Sequence, residues 1–157
     1  MTQTEIKPEL PVDVEPQVYR LRSPLMKQGR LDTVVSKSDV MEVRMKSYAQ
    51  GGENALHAHT IEDHTFIVLQ GRARFWAGKD DREVGVLGHN EAIMLPRGCF
   101  YRFESCGDEP LVMVRVGAKT GHKAPTTRIK PDGTPIPGDS KENKTVPPIV
   151  LEGAYYE

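Results

Sequence analysis

Cysteine is scarce in this chain: Cys99 and Cys106 are the only two among 157 residues. Two thiols are too few for a disulfide framework, so both are read as free. A charge balance of one sign is also missing. The 21 lysines and arginines face 22 aspartates and glutamates, for a formal net charge of −1, which provides no global field to gather nucleic acid or an anionic membrane. No apolar run approaches the roughly 18 residues of a membrane span. The opening MTQTEIKPELPVD lacks the basic and apolar regions of a signal peptide. These absences lead us to expect a cytoplasmic, soluble protein that binds neither nucleic acid nor membrane. The length suits one domain with a core rather than two.

Helical periodicity is absent too. What the sequence does have is alternation. In VMEVRMKSYAQ, Met41, Val43, Met45 and Ser47 alternate with Val40, Glu42, Arg44 and Lys46, the pattern of a half-buried strand. Short runs bounded by Gly, Asn or Asp follow, among them ALHAH, HTFIVLQ, RARFWA, EVGVL, EAIMLP, CFYRFES and PLVMVRVG. They predict an all-β antiparallel sandwich or barrel. Prolines 8, 11, 16 and 24 exclude helix from most of an N-terminal arm, residues 1–30. The barrel is expected over 31–117. A Pro-rich tail, 118–157, is expected to be a loose loop whose apolar end, IVLEGAYY, docks on the barrel or on a partner subunit.

Three of the five histidines, His57, His59 and His64, fall within eight positions. On a strand, His57 and His59 point to one side with Cα atoms roughly 6.6 Å apart, so their rings can converge on one atom. The short turn TIED can return His64 alongside them. Burying unpaired imidazoles would cost each its hydrogen bonds to water, and a metal ion removes that cost. In HTFIVLQG, His64, Phe66 and Val68 share one face, and both faces are apolar enough for a strand between an interior and a second packed layer. Glu62 and Asp63 read as residues that solvate the turn.

With these residues in place, the sequence resembles the cupin superfamily. Gly51, His57, His59 and Gly71 fall on its first motif, and Gly88, Pro96 and Gly98 echo its second. The resemblance implies a double-stranded β-helix (jelly-roll) barrel, a homodimer, and a divalent transition metal inside, iron being favoured over zinc, manganese, nickel or copper. The chain departs from the motifs in two ways. His64 stands where the first motif carries a glutamate ligand, with Asp63 as the alternative at the shorter spacing, and Tyr101 stands where the second carries a histidine. His57, His59 and His64 are thus the implied ligands. Tyr101 is the candidate catalytic group, either ionised on the metal or as a neutral acid, base or donor. Arg97, Cys99, Phe66 and Phe103 are candidate substrate contacts, Arg97 as a carboxylate binder at the pocket mouth.

The expected function is metal-dependent conversion of a small oxygen-rich metabolite such as a diketone, phenol or hydroxy acid, foremost by a dioxygenase. A lyase or isomerase, and a non-catalytic small-molecule carrier, are the alternatives.

Overall fold

Twelve strands and no helix make up the computed structural model, which describes residues 9–49, 54–144 and 146–157. Gly51 of the first motif lies outside the described residues. One sheet has five strands in the order β2 (Arg30–Lys37), β3 (Met41–Tyr48), β10 (Leu111–Lys119), β5 (Glu62–Gln70) and β8 (Ala92–Leu95). Facing it is a three-stranded sheet of β7 (Arg82–Leu87), β6 (Arg72–Ala77) and β9 (Tyr101–Cys106). Two short ribbons complete the fold: β1 (Ser23–Gln28) pairs with β12 (Ile149–Tyr156), and β4 (Ala58–His59) with β11 (Arg128–Ile129). Every pairing is antiparallel.

Alternation accounts for two packed layers. Between the two main sheets lie Tyr48, Phe66, Val68, Phe75, Phe103, Leu111 and Met113, all buried. The opposite face of the large sheet, with Val43, Met45, Val112 and Val114, carries a second cluster against Leu25 of β1 and Tyr156 of β12. Strand β5 therefore sits between an interior and an outer layer, as its two apolar faces predict. The Ser23 hydroxyl lies 2.7 Å from that of Ser47 and ties the outer ribbon to β3. The tail is built into the fold rather than hanging from it, with Ile136 and Asn143 buried.

Parity on β3 has the opposite consequence from a half-buried strand. Its apolar face meets the outer ribbon, so the charged face of Glu42, Arg44 and Lys46 turns to the barrel interior. Lys46 is only 9% exposed. The interior is therefore graded along the barrel, aromatic at the Tyr48 end and charged at the Glu42 end.

Gly71 in the β5–β6 turn shows why the first motif closes on glycine. Its φ is +73°, a left-handed conformation, and a Cβ there would stand 2.7 Å from the carbonyl oxygen of Pro110.

Candidate metal centre and its cavity

At the charged end of the barrel, a cavity of about 480 Å³ is lined by His57, His59, His64, Phe66 and Tyr101 together with a group of cationic side chains. Three strands and a bridge position the rings. His57 sits opposite Tyr101 through a reciprocal backbone pair, N to O 3.2 Å one way and 2.9 Å the other. His59 ends β4, and His64 lies in β5 opposite Gly117 of β10 and Leu95 of β8. The rings pack closely: His59 and His64 have centroids 4.0 Å apart, His57 and His59 5.1 Å, and His57 and Tyr101 4.7 Å.

The hydrogen bonds assign protons. His57 Nδ1 lies 2.7 Å from the Ala55 carbonyl oxygen, which can only accept, so Nδ1 carries the hydrogen. His64 Nε2 has two neighbours, Glu62 Oε2 at 2.9 Å and Arg115 Nη1 at 3.1 Å. A guanidinium only donates and a carboxylate only accepts, so both contacts cannot be hydrogen bonds to one nitrogen at once. The shorter, charge-assisted contact decides: Nε2–H donates to Glu62. His64 Nδ1, 3.4 Å from the Tyr101 hydroxyl, then keeps its lone pair. That hydroxyl is also 3.4 Å from His59 Nε2.

Burial sets the charge states. It holds the His57 imidazole down to about 3, with nearby Arg128 acting in the same direction. It also lowers His59, helped by His64 and His57, and it outweighs the pull of Glu62 on His64. All three rings are neutral at neutral pH. Burial raises the Tyr101 phenol, which is thus an O–H donor. The hydrogen bond from His64 holds the Glu62 carboxyl below its ordinary range, so that it is ionised.

The donor atoms of His59, Glu62 and His64 all lie within 4.8 Å of one another and could hold a metal ion. Their chemistry fits one. Each neutral imidazole keeps one lone pair that a cation can take, Nδ1 in the case of His64. A carboxylate beside them supplies the charge that imidazoles lack.

Not all of the expected site residues come together. His57 is near but outside that close group. Its ring is locked by Ala55 and packs against His59 and Tyr101. Glu62, read from sequence as a turn residue, joins His59 and His64 in that group: it alternates with His64 on β5 and so shares its face. Asp63, on the other parity, accepts from the Arg97 backbone N at 2.7 Å and stays outside the group. Arg97 is exposed, its guanidinium near the Thr60 carbonyl, and it does not line the cavity. Cys99 packs against the aromatic core, and Phe103 lies wholly within it, so neither reaches the cavity. Phe66 does. The residues that sequence reasoning missed are Arg30, Asp32, Arg44, Lys46, Arg115 and Arg128. Arg115 had a signal, a lone charge in the apolar strand PLVMVRVG; Arg128 had none.

Residues 44–117 match the family described as the cupin domain. Solved structures of the same fold include a cupin superfamily protein from Desulfitobacterium hafniense (18% identity, 62% of this chain and 83% of that one, TM-score 0.52). A protein from Klebsiella pneumoniae with a double-stranded β-helix domain superposes with TM-score 0.54 at 22% identity, over 62% and 83% of the two chains. KdgF from Halomonas sp. gives TM-score 0.51 at 15% identity, over 59% and 82%. No curated protein matches in sequence. Residues 44–117 are thus a cupin domain, on the double-stranded β-helix fold.

Proposed function

We propose that the cavity is the active site of a metal-dependent enzyme of dioxygenase type, acting on a small oxygen-rich metabolite. The observation that carries this reading is the clustering of His59, Glu62 and His64, with His59 and His64 at the wall of a cavity of about 480 Å³, a volume suited to a metabolite. Two imidazoles and one carboxylate are a donor set suited to iron(II) with positions left for other ligands. Bound there, the ion would polarise substrate oxygens as a Lewis acid and supply the site for dioxygen chemistry.

The chain's own groups do the rest. Tyr101 presents a neutral O–H at the centre of the imidazole cluster, where it can donate to a substrate oxygen. His57, with Nδ1–H fixed on Ala55, offers Nε2 as a proton acceptor. Phe66 gives the cavity an apolar wall.

The test is metal uptake by protein purified without an affinity tag, stripped with chelator and reloaded anaerobically with iron(II). The wild type should take up about one ion per chain, and His59→Ala and Glu62→Gln should each lose at least roughly tenfold in affinity while remaining folded. Wild-type uptake below about a tenth of an ion per chain would overturn the reading.

A further inference from the structure

Metal chemistry leaves the cationic wall of the cavity unexplained. Arg30, Arg44, Lys46, Arg115, Arg128 and Lys144 all line it, against a single lining aspartate, Asp32. Part of this charge is matched locally. Asp32 pairs with Lys46 at 2.7 Å and Arg44 at 3.1 Å, and Glu42 pairs with Arg115 at 2.8 Å and also with Arg44.

Arg30 and Arg128 differ. Among the described residues no carboxylate pairs with either. Arg30 donates to the Asn54 side-chain oxygen and, at 3.1 Å, to the Gly138 carbonyl. Arg128 donates to Asn143 Oδ1 at 3.2 Å, and its buried Nε has no partner among the described residues. The two guanidiniums meet at Gly138, where Arg128 Nη1 occupies the space that a side chain would need: a Cβ there would lie 2.8 Å from it. Burial, joined by the charges of Arg30 and Arg115, depresses the Arg128 pKa, the mark of a cation lacking its counter-charge.

The placement of Arg128 is built. The β4–β11 ribbon sets it directly opposite His59, and side chains so paired lie about 5 Å apart on one face. Asn143, 1% exposed, fixes the guanidinium through Oδ1 while its Nδ2 donates to the Gly138 carbonyl at 2.7 Å. Arg128, Gly138 and Asn143 lie beyond residue 117, where the cupin domain match ends.

We propose that the cavity takes a small anionic metabolite whose carboxylate or phosphate seats between Arg30 and Arg128, beside His59, Glu62 and His64. The C-terminal segment is then a substrate-binding wall, and Arg128 its specificity-determining residue. A guanidinium fork matches either oxyanion, so the shared chemistry is a planar or tetrahedral group with at least two anionic oxygens. The proposal deepens the enzymatic reading of this cavity and rests on it, although seating the anion requires no metal.

The test is calorimetric titration of chelator-treated, tag-free protein with malonate, with inorganic phosphate and with neutral malonamide. Saturable binding of at least one anion and none of malonamide is expected, and the anion that binds tells carboxylate from phosphate. Arg128→Gln and Arg30→Gln should each weaken binding at least about tenfold, and Arg128→Lys less. Arg72→Gln, at an exposed position of β6, should change nothing. Circular dichroism checks each variant's fold; should Arg128→Gln unfold, Arg128→Lys and Arg30→Gln decide in its place. Failure of the folded wild type to bind either anion overturns the proposal, as does unchanged affinity in the folded arginine variants. Arginine-dependent anion binding by a protein that takes up no iron would leave this site standing and overturn the metal reading. Iron uptake through His59 and Glu62 without anion binding would do the reverse.

Discussion

Gly117 shows how closely the centre depends on single atoms. It is the register partner of His64 across β10 and β5, and a Cβ on it would lie 3.2 Å from His64 Cδ2, 3.3 Å from Nε2 and 3.3 Å from Arg115 Nη2. Its φ lies outside the left-handed region, so the obstacle is space rather than backbone strain. Gly117→Ala should push the imidazole by a few tenths of an ångström and disturb its bond to Glu62. Iron affinity should fall roughly tenfold, as it does when the partner that orients a ligand is lost, with the unfolding temperature changed by only a few degrees. Equal affinities for wild type and variant would show that His64 does not need this register. The same residue scale explains why Glu62 and Asp63 part company. Neighbours on a strand face opposite sides, so only one of two adjacent carboxylates can join His64.

At the scale of elements, β3 carries the cost of an interior charge. Asp32 on β2 is the register partner of Lys46 on β3, and Arg44 reaches the same carboxylate. Burial raises the Asp32 carboxyl, but Lys46 and Arg44 outweigh it and hold it at about 2. Its folded value lies below the unfolded one of about 4, so it stabilises the fold fully above pH 4 and loses that contribution as pH falls from about 4 to about 2. The amount, discounted for partial exposure, is on the order of 1–2 kcal/mol. Asp32→Asn should lower unfolding free energy at pH 6 by about that much and flatten its dependence between pH 4 and 2. Parallel denaturation curves across this range for the two proteins would refute the assignment. The strand's sequence announces two faces, one apolar and one charged. It does not announce that the outer ribbon claims the apolar one, and this is why Arg44 and Lys46 escape notice as cavity residues.

For the molecule as a whole, the terminal regions close the structure. The β1–β12 ribbon covers Val43, Met45, Val112 and Val114, and Tyr156 is part of that cover. Burial of one such side chain contributes about 1.5–3 kcal/mol. Removing residues 149–157 should therefore lower the unfolding temperature by roughly 5–10 °C, measured by calorimetry on full-length and truncated protein. An unchanged temperature would mean that the ribbon is not part of the stability of the barrel. The preceding stretch, with β11, Gly138 and Asn143, serves the cavity rather than the outer layer. One tail thus does two jobs at two faces of the same sheet.

Much of this was legible before any fold was known. Alternation and turn residues specify strands, two spaced motifs specify the barrel, and a dense histidine cluster marks where donor atoms can gather, because each of these is a local property of neighbouring residues. Strand parity tells which side chains share a face. Which face looks inward is decided by what packs on the other one, and only the β1–β12 ribbon settles that for Glu42, Arg44 and Lys46. The meeting of His59 with Arg128, far apart along the chain, depends on a pairing of two-residue strands whose local sequence carries no mark of its partner. The histidines were therefore written in the sequence, whereas their carboxylate and the arginine pair beside them belong to the tertiary structure.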